Sequence, residues 1–400
     1  MKCAKITALV IVMSLMLGVT AFARQIPNAT PRFTHMRKGA ILSAKQLDEK
    51  YHGNAAAGIK GNALAAQMPF WVGKTTVPFG VYNANNVNFY YDMIGTNPAL
   101  GNKTTTIPVV IIPVIFTWGT TGGGTDDPTQ AACFDPNSKS PITRIQESMI
   151  FTPYAGNYPG PAPTGSTGQY EDAFQKANWN KVNVPYHVLL NATVAAPITI
   201  DGTTAGFPVF NNACGQAVGE FDIFAFDSII ESVYQGMGIP KTTLPLFISY
   251  NVFLTEFGGC CILGYHSSDA VDQTYSFAAY NDPGLFTASQ IQDVHALSHE
   301  LGEWMDDPFG LNPTPNWGGL GQVPGCQNNL EVGDPVTGIG FPSGVSMPPD
   351  NFVYHPEDLV FHGWFFELTL NNTPSGSAGG AWTFLQTFTG SAKPNCSGSF

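Results

Sequence analysis

The chain is 400 residues long with a formal net charge of −12, and 12% of its residues are charged, about half the ~25% usual in globular proteins. With 17 Lys and Arg against 29 Asp and Glu, the balance excludes a nucleic-acid partner and an anionic membrane surface. The 43 Gly, 31 Pro and 28 Phe point to a β-rich domain with long ordered loops, whose apolar volume comes largely from aromatic rings.

Met1-Lys2-Cys3-Ala4-Lys5, the apolar run from Ile6 to Val19 and Ala21-Phe22-Ala23 have the charged, apolar and small-x-small parts of a secretory signal peptide. Residues 1–23 are therefore expected to be a leader, and the mature protein to be secreted, to a periplasm or outside the cell. No later stretch supplies the ~20 uninterrupted apolar residues of a spanning helix. With Cys3 removed, Cys133, Cys214, Cys260, Cys261, Cys326 and Cys396 remain, and six cysteines in an exported chain read as disulfides. For the adjacent Cys260 and Cys261, bridges to separate partners or a vicinal bridge are the expectation, ahead of a redox or metal site.

Residues 24–80, with their Ala/Gly-rich "GNAAAGIKGNALAAQ", read as an N-terminal arm or leader segment that carries no recognisable chemistry, and 81–400 as a single domain. Thr104 to Trp118 is a β-branched apolar run with two prolines, which suits a buried strand near a sheet end or bulge. Ser166 to Trp179 has helical spacing, with Asp172 early in the segment, and "YHVLLNATV" reads as a strand. Gly219 to Pro240 gathers Phe221, Phe224, Ile229, Ile230 and Val233 into one stripe and reads as a helix of about four turns. "LPLFISYNVFLTEF", "CCILGYHS" and "QTYSFAAYND" are three strand-like runs in succession. A helix follows, with a capping-box pattern at Thr287 and Gln290 and a stop at Pro308. Beyond it lie a Pro/Gly-rich loop, the acidic "NNLEVGDP", the segment "YHPEDLVFHGWF" and a C-terminal strand over "AWTFLQTF". The expected class is α+β.

The helix carries "HALSHELGEWMDDP", His295 to Pro308. Ile291, Val294, Leu297, Leu301, Trp304 and Met305 fall on one side, and His295, His299 and Glu303 on nearly the opposite one at i, i+4 and i+8. The plain alternative for that second side is a solvated polar face. Against it, Glu300, Glu303, Asp306 and Asp307 crowd into the C-terminal half without a Lys or Arg in the helix, where the helix dipole and like charges each disfavour them by a few tenths of a kcal/mol. A bound cation would reverse that balance. Gly302 costs the helix about 1 kcal/mol relative to Ala, which implies a close approach to the backbone.

His299 and Glu303, one turn apart, can converge on a divalent ion at the roughly 2.0–2.2 Å of zinc sites. Glu300 stands beside them as a general base, as in the H-E-x-x-H arrangement. With Glu303 in place of the second histidine, a site of one histidine and two carboxylates is formally neutral with Zn²⁺ and pulls more weakly on water. Zinc is the expected ion; Mn²⁺ or another divalent ion is the alternative. A structural Ca²⁺ site is disfavoured because imidazole is a poor ligand for a hard cation. "NNLEVGDP" supplies a third ligand, with Glu331 favoured over Asp334, although an acidic loop residue can equally be solvated or a cap. His295 is open to three readings: a further ligand, a substrate contact or an interior histidine. His355 and His362 are assigned to packing.

"SHELGEWMDDP", "EVGDP" and the upstream "GYHSSD" resemble the H-E-x-x-E, E-x-x-D and G-Y-H elements of the exordium-like, phosphate-induced secreted proteins of plants and their bacterial relatives. "GQYEDAFQKANW" and "YHPEDLVFHGWF" are similar to segments of the bacterial members, and the resemblance covers residues 100–400. It implies a zincin-like fold, a mixed β-sheet backed by helices with an active-site helix beneath a cleft, and a metallopeptidase-type site. It marks His299 and Glu303 as ligands, Glu300 as base, Glu331 and Asp334 as the downstream acidic element, and Tyr265 and His266 as residues beside the cleft. The chain departs from the family's pattern in having His295 one turn before His299; His295 and Asp307 are read as substrate-contacting or supporting residues. Two functions follow as expectations: a secreted metal-dependent hydrolase acting on a peptide or protein substrate, or a non-catalytic extracellular or cell-envelope protein that binds a glycan or protein partner.

Overall fold

The computed structural model describes residues 31–37, 67–77, 86–119, 124–158, 167–339, 344–366, 381–388 and 396. The expected leader, 1–23, lies outside the described residues. The strands are β1 (Arg32–Arg37), β2 (Phe70–Val77), β3 (Val87–Ile94), β4 (Thr104–Thr117), β5 (Thr125–Asp126), β6 (His187–Val194), β7 (Ile198–Asp201), β8 (Gly206–Asn211), β9 (Ala217–Asp222), β10 (Leu244–Tyr250), β11 (Val252–Glu256), β12 (Gly259–Ser268), β13 (Thr274–Tyr280), β14 (Pro313–Leu320), β15 (Val323–Asn329), β16 (Val345–Met347) and β17 (Phe352–Tyr354). The helices are α1 (Pro141–Glu147), α2 (Tyr170–Asn178), α3 (Ile223–Gly236), α4 (His295–Asp306) and α5 (His362–Phe365).

An 11-stranded mixed sheet organises the protein, in the order β5-β4-β10-β13-β12-β11-β9-β8 with β1 added to β12 and β6 and β7 added to β4. The protein is thus α+β. Every residue of β10 and of β13 is buried, as expected for central strands covered on both faces. Pro113 sits where β4 changes partner, between the stretch paired with β6, which ends at Ile111, and the stretch paired with β7, which begins at Val114. A residue without an N–H is tolerated at such a break in the ladder. Alternation along β12 sends Gly264 and His266 towards α4 and Tyr265 to the other face, where its hydroxyl donates to Asp227 of α3 at 3.0 Å.

Three expected elements differ in their boundaries. The helix foreseen from Gly219 begins at Ile223, because Gly219 to Asp222 belong to β9 and the Asp222 carboxylate caps the helix by accepting from Ala225 N at 2.9 Å. "LPLFISYNVFLTEF" is two strands broken at Asn251, whose φ is 54°. The capping box at Thr287 and Gln290 is not used: α4 starts at His295, just after Asp293 enters the left-handed region at φ 40°. Two further elements change type. The Pro/Gly-rich loop is the β14–β15 hairpin, in which a Cβ on Gly318 would lie 1.9 Å from the Gly325 carbonyl oxygen, so the glycines serve close pairing. "AWTFLQTF" is a turn with a single bridge from Val360 to Thr383, wound around the Asp358 carboxylate, which accepts from Leu385 N at 2.5 Å and Thr387 N at 3.1 Å.

The stretch expected to be an arm enters the fold at both described ends. β1 pairs with β12, and β2 pairs with β3 along its whole length, so the boundary expected at residue 80 divides a hairpin. The six cysteines form the pairs Cys133–Cys214, Cys260–Cys261 and Cys326–Cys396; the adjacent pair takes the vicinal alternative. No helix among the described residues is long and apolar enough to cross a membrane.

Candidate metal centre

All twelve residues of α4 are buried. The helix packs on β12 and β13, with Gly264 and His266 of β12 meeting Glu300, and the side carrying His295, His299 and Glu303 is covered by β1, by the segment around Glu331 to Asp334 and by the segment at Glu357. Glu303 stands at the centre. Its Oε1 lies 3.1 Å from His299 Nε2 and accepts from Gly333 N at 3.1 Å and Asp334 N at 3.2 Å; its Oε2 lies 3.8 Å from His266 Nδ1. Ligand atoms of His299, Glu300 and Glu303 lie within 4.8 Å of one another, as do those of His266, Glu303 and Glu331. The structure thus brings together His299, Glu300, Glu303 and Glu331, with His266 among them.

The two central histidines are held differently. His299 gives Nδ1 to the buried Glu357 Oε2 at 2.8 Å, leaving Nε2 towards Glu303 Oε1 and, at 3.7 Å, Asp334 Oδ1. Burial favours a neutral Glu357, but the charges of His295 and His299 hold it below the usual carboxylate range, so it is the acceptor. An imidazole with one nitrogen tied to a carboxylate and the other presented to acidic donors has the arrangement of a metal-ligating histidine. His266 instead has both nitrogens engaged, Nδ1 with Glu300 Oε2 at 3.2 Å and Nε2 with the Asp307 carbonyl at 3.1 Å. It positions Glu300.

The donor set fits a divalent ion. His299 Nε2 and Glu300 Oε1 are buried and make no hydrogen bond, a costly state for polar atoms. Burial, with Glu331 and Asp334 adding to it and His299 opposing it, drives Glu303 well above the carboxylate range. Burial would likewise depress His299, yet Glu303 and Glu357 push it well above the imidazole range. The pair of His299 Nε2 and Glu303 Oε1 therefore favours holding a proton between them, and a divalent ion bound there would displace it.

Glycines shape the cradle. A Cβ on Gly264 would meet Glu300 Cγ at 2.5 Å, and one on Gly333 would meet His299 Nδ1 at 2.3 Å. Gly302 is explained as expected, by the close approach of Leu359 at 2.6 Å and Glu171 at 3.3 Å to its Cβ position. Gly333 has φ −88°, which any residue adopts, so contact alone requires it to be glycine. Gly333→Ala is expected to cost about 1–3 kcal/mol by overpacking and to loosen His299; an unchanged denaturant midpoint would contradict this.

Other expected site residues lie further out. Tyr265 does not flank the site: strand alternation puts it on the far face of the sheet, against Asp227. His295 is an interior histidine, fully buried, with Nε2 3.1 Å from Glu357 Oε2 but off the direction of a hydrogen bond. Asp307 organises the chain after the helix, accepting from Leu311 N at 2.8 Å and Asn312 N at 3.0 Å. Glu331 Oε1 accepts from Asn329 at 2.6 Å, and Asp334 accepts from Gln322 and, at 2.8 Å, from Gln327. His362 packs among aromatic rings and His355 pairs with Asp293 at 2.6 Å. Glu357 and Phe33 were not foreseen. Glu357 lies inside "YHPEDLVFHGWF", an apolar segment whose histidines read as packing residues, and Phe33 lies in the stretch that reads as carrying no chemistry.

No known protein family, curated protein or solved structure matches the chain.

The buried groups also set a pH dependence for the metal-free protein. Burial opposes the charge on His266, but Glu300, Glu331 and Asp307 outweigh it and push the imidazole up to about 9. Asp306 is pushed up to about 8, foremost by burial and against a hydrogen bond from Gln175. The raised imidazole stabilises the fold fully below its ordinary 6.5, and that stability is lost as pH rises through about 9. The raised carboxyl keeps a proton that the unfolded chain releases, so its cost grows from 3.8 to about 8. Both have the same sign, and chelator-treated protein is expected to lose at least roughly 3 kcal/mol between pH 6.5 and 9. Denaturant midpoints that stay flat over that window would contradict it.

Proposed function

We propose that this protein is a secreted, zincin-like metal-dependent hydrolase of the exordium-like type, acting on peptide bonds through a water activated at the α4 site. The observation that carries this reading is the His299 imidazole, fixed at Nδ1 by Glu357 and presented at Nε2 to Glu303. His299 and Glu303 are the primary ligands, with Glu331 as the third and Asp334 as its alternative. A divalent ion held there, zinc in first place and Mn²⁺ in second, supplies Lewis acidity and lowers the pKa of a water. Glu300 accepts the water's proton at Oε1, the oxygen without a hydrogen-bond partner, while His266 fixes Oε2. Asn329 orients Glu331.

The test is digestion of a peptide library by the purified protein as isolated, after chelation, and after zinc or manganese is restored. Cleavage that disappears with chelation and returns with metal is expected. Cleavage in none of these states would sink the hydrolase reading. A second reading then stands: an extracellular or cell-envelope protein that binds a glycan or protein partner and keeps the metal for structure. The burial of His299, Glu300, Glu303 and Glu331, at 0%, 0%, 1% and 2% exposure, favours it, since structural sites are closed.

A further inference from the structure

Part of the closure comes from the chain's own N-terminal stretch. β11 pairs antiparallel with the start of β12, at Leu254↔Ile262 and Glu256↔Gly259. The same edge continues past Ile262 alongside α4, and there β1 takes it, pairing parallel with Phe33↔Gly264, Thr34↔Tyr265 and onward to Arg37↔Ser268. Phe33 is 4% exposed, and its ring stacks on His299 with centroids 3.6 Å apart and planes inclined by 18°. Gln322, in the β14–β15 turn, grips the Phe33 backbone from the side: its Oε1 accepts from Phe33 N at 2.5 Å and its Nε2 donates to the Phe33 carbonyl at 2.9 Å. The same Nε2 also donates to Asp334 Oδ1, which joins the clamp to the acidic segment of the centre. A cavity of about 420 Å³ lies beside Pro31, lined also by Thr287, Ala288, Ile291, Gly321 and Gly338.

Strand addition to a sheet edge, backbone hydrogen bonds to one residue and a side chain in an enclosed aromatic contact are together how proteins read extended peptides. The backbone contacts accept any sequence, whereas stacking on His299 selects a ring. We propose that the β12 edge beside α4 is a binding site for an extended peptide bearing an aromatic side chain, and that residues 31–34 occupy it as an intramolecular stand-in. The inference rests on the hydrolase reading only where it calls that peptide a substrate. Pro31 lines the neighbouring cavity together with Ile291 and Ala288, which give it an apolar wall.

A fluorescently labelled heptapeptide with the sequence PRFTHMR, residues 31–37, is the probe, and its binding to the full chain is followed by anisotropy. In the unaltered protein the tethered segment competes at an effective concentration on the order of millimolar, so binding of the free peptide is suppressed by about tenfold or more. Phe33→Gly weakens the tethered copy and is expected to raise the affinity for the peptide by that factor, while the peptide PRATHMR fails to compete. A folded Phe33→Gly protein that binds PRFTHMR no better than the unaltered one, or binds PRATHMR equally well, would overturn the proposal. Should Phe33→Gly not fold, Phe33→Leu keeps the apolar bulk without the ring and decides in the same way through a smaller gain. Peptide binding without metal-dependent cleavage would overturn the hydrolase reading and leave this one standing. Cleavage without peptide binding at this edge would do the reverse.

Discussion

Glu303→Ala is expected to abolish the response of the protein's stability to divalent metal. The Glu303 carboxylate is the meeting point of the site, touching His299 through one oxygen and facing His266 through the other. In the unaltered chain, an ion present at 100 times its Kd is expected to stabilise the fold by about 2.7 kcal/mol, which corresponds to roughly 3 °C in Tm for a chain of this length. The variant loses the proposed ligand at a position that no neighbour fills, because Glu331 and Asp334 are held by Asn329, Gln322 and Gln327. Thermal melts with and without zinc decide the point: a variant whose Tm still rises with zinc as the unaltered protein's does would remove Glu303 from the centre.

The second large effect concerns turnover. Glu300→Gln is expected to lower peptide cleavage by about 10²–10⁴-fold, the usual contribution of a general base, while metal content and fold are kept. Burial raises the Glu300 carboxyl above its ordinary range, with His266 and His299 pulling the other way, which moves a carboxylate towards the pKa of a useful base. Glutamine keeps an oxygen for His266 and replaces Oε1, which has no hydrogen-bond partner. Equal cleavage by both proteins would show that another group takes the proton. A protein that loses metal along with activity would instead place Glu300 among the ligands, as its distance from His299 and Glu303 permits.

Helical periodicity was enough to put His295, His299 and Glu303 on one side of α4, and the crowding of carboxylates near its end was enough to single that side out. Periodicity could not tell a cleft-facing side from one covered by distant segments, and here both sides are buried. The misplaced helix start has a local cause: the capping-box pattern at Thr287 carries no information about Asp293, whose left-handed backbone and contact with His355 set the true beginning. Glu357 was illegible for a different reason. Its role depends on a segment 58 positions from His299 returning to the helix, and no spacing rule encodes that return. Phe33 lies further still along the chain, in a stretch of mixed composition read as an arm or leader segment, and its contact with His299 exists only once β1 has joined the sheet. Gly302 was the opposite case, since an unfavourable residue inside a helix signals a close neighbour whatever that neighbour is.

The most direct test of the metal centre is elemental analysis of the unaltered protein, produced with ample zinc and then freed of loosely held ions by gel filtration. About one divalent ion per chain is expected, as for a site with histidine and carboxylate ligands. A protein that is folded and carries no stoichiometric ion would contradict the account at its centre.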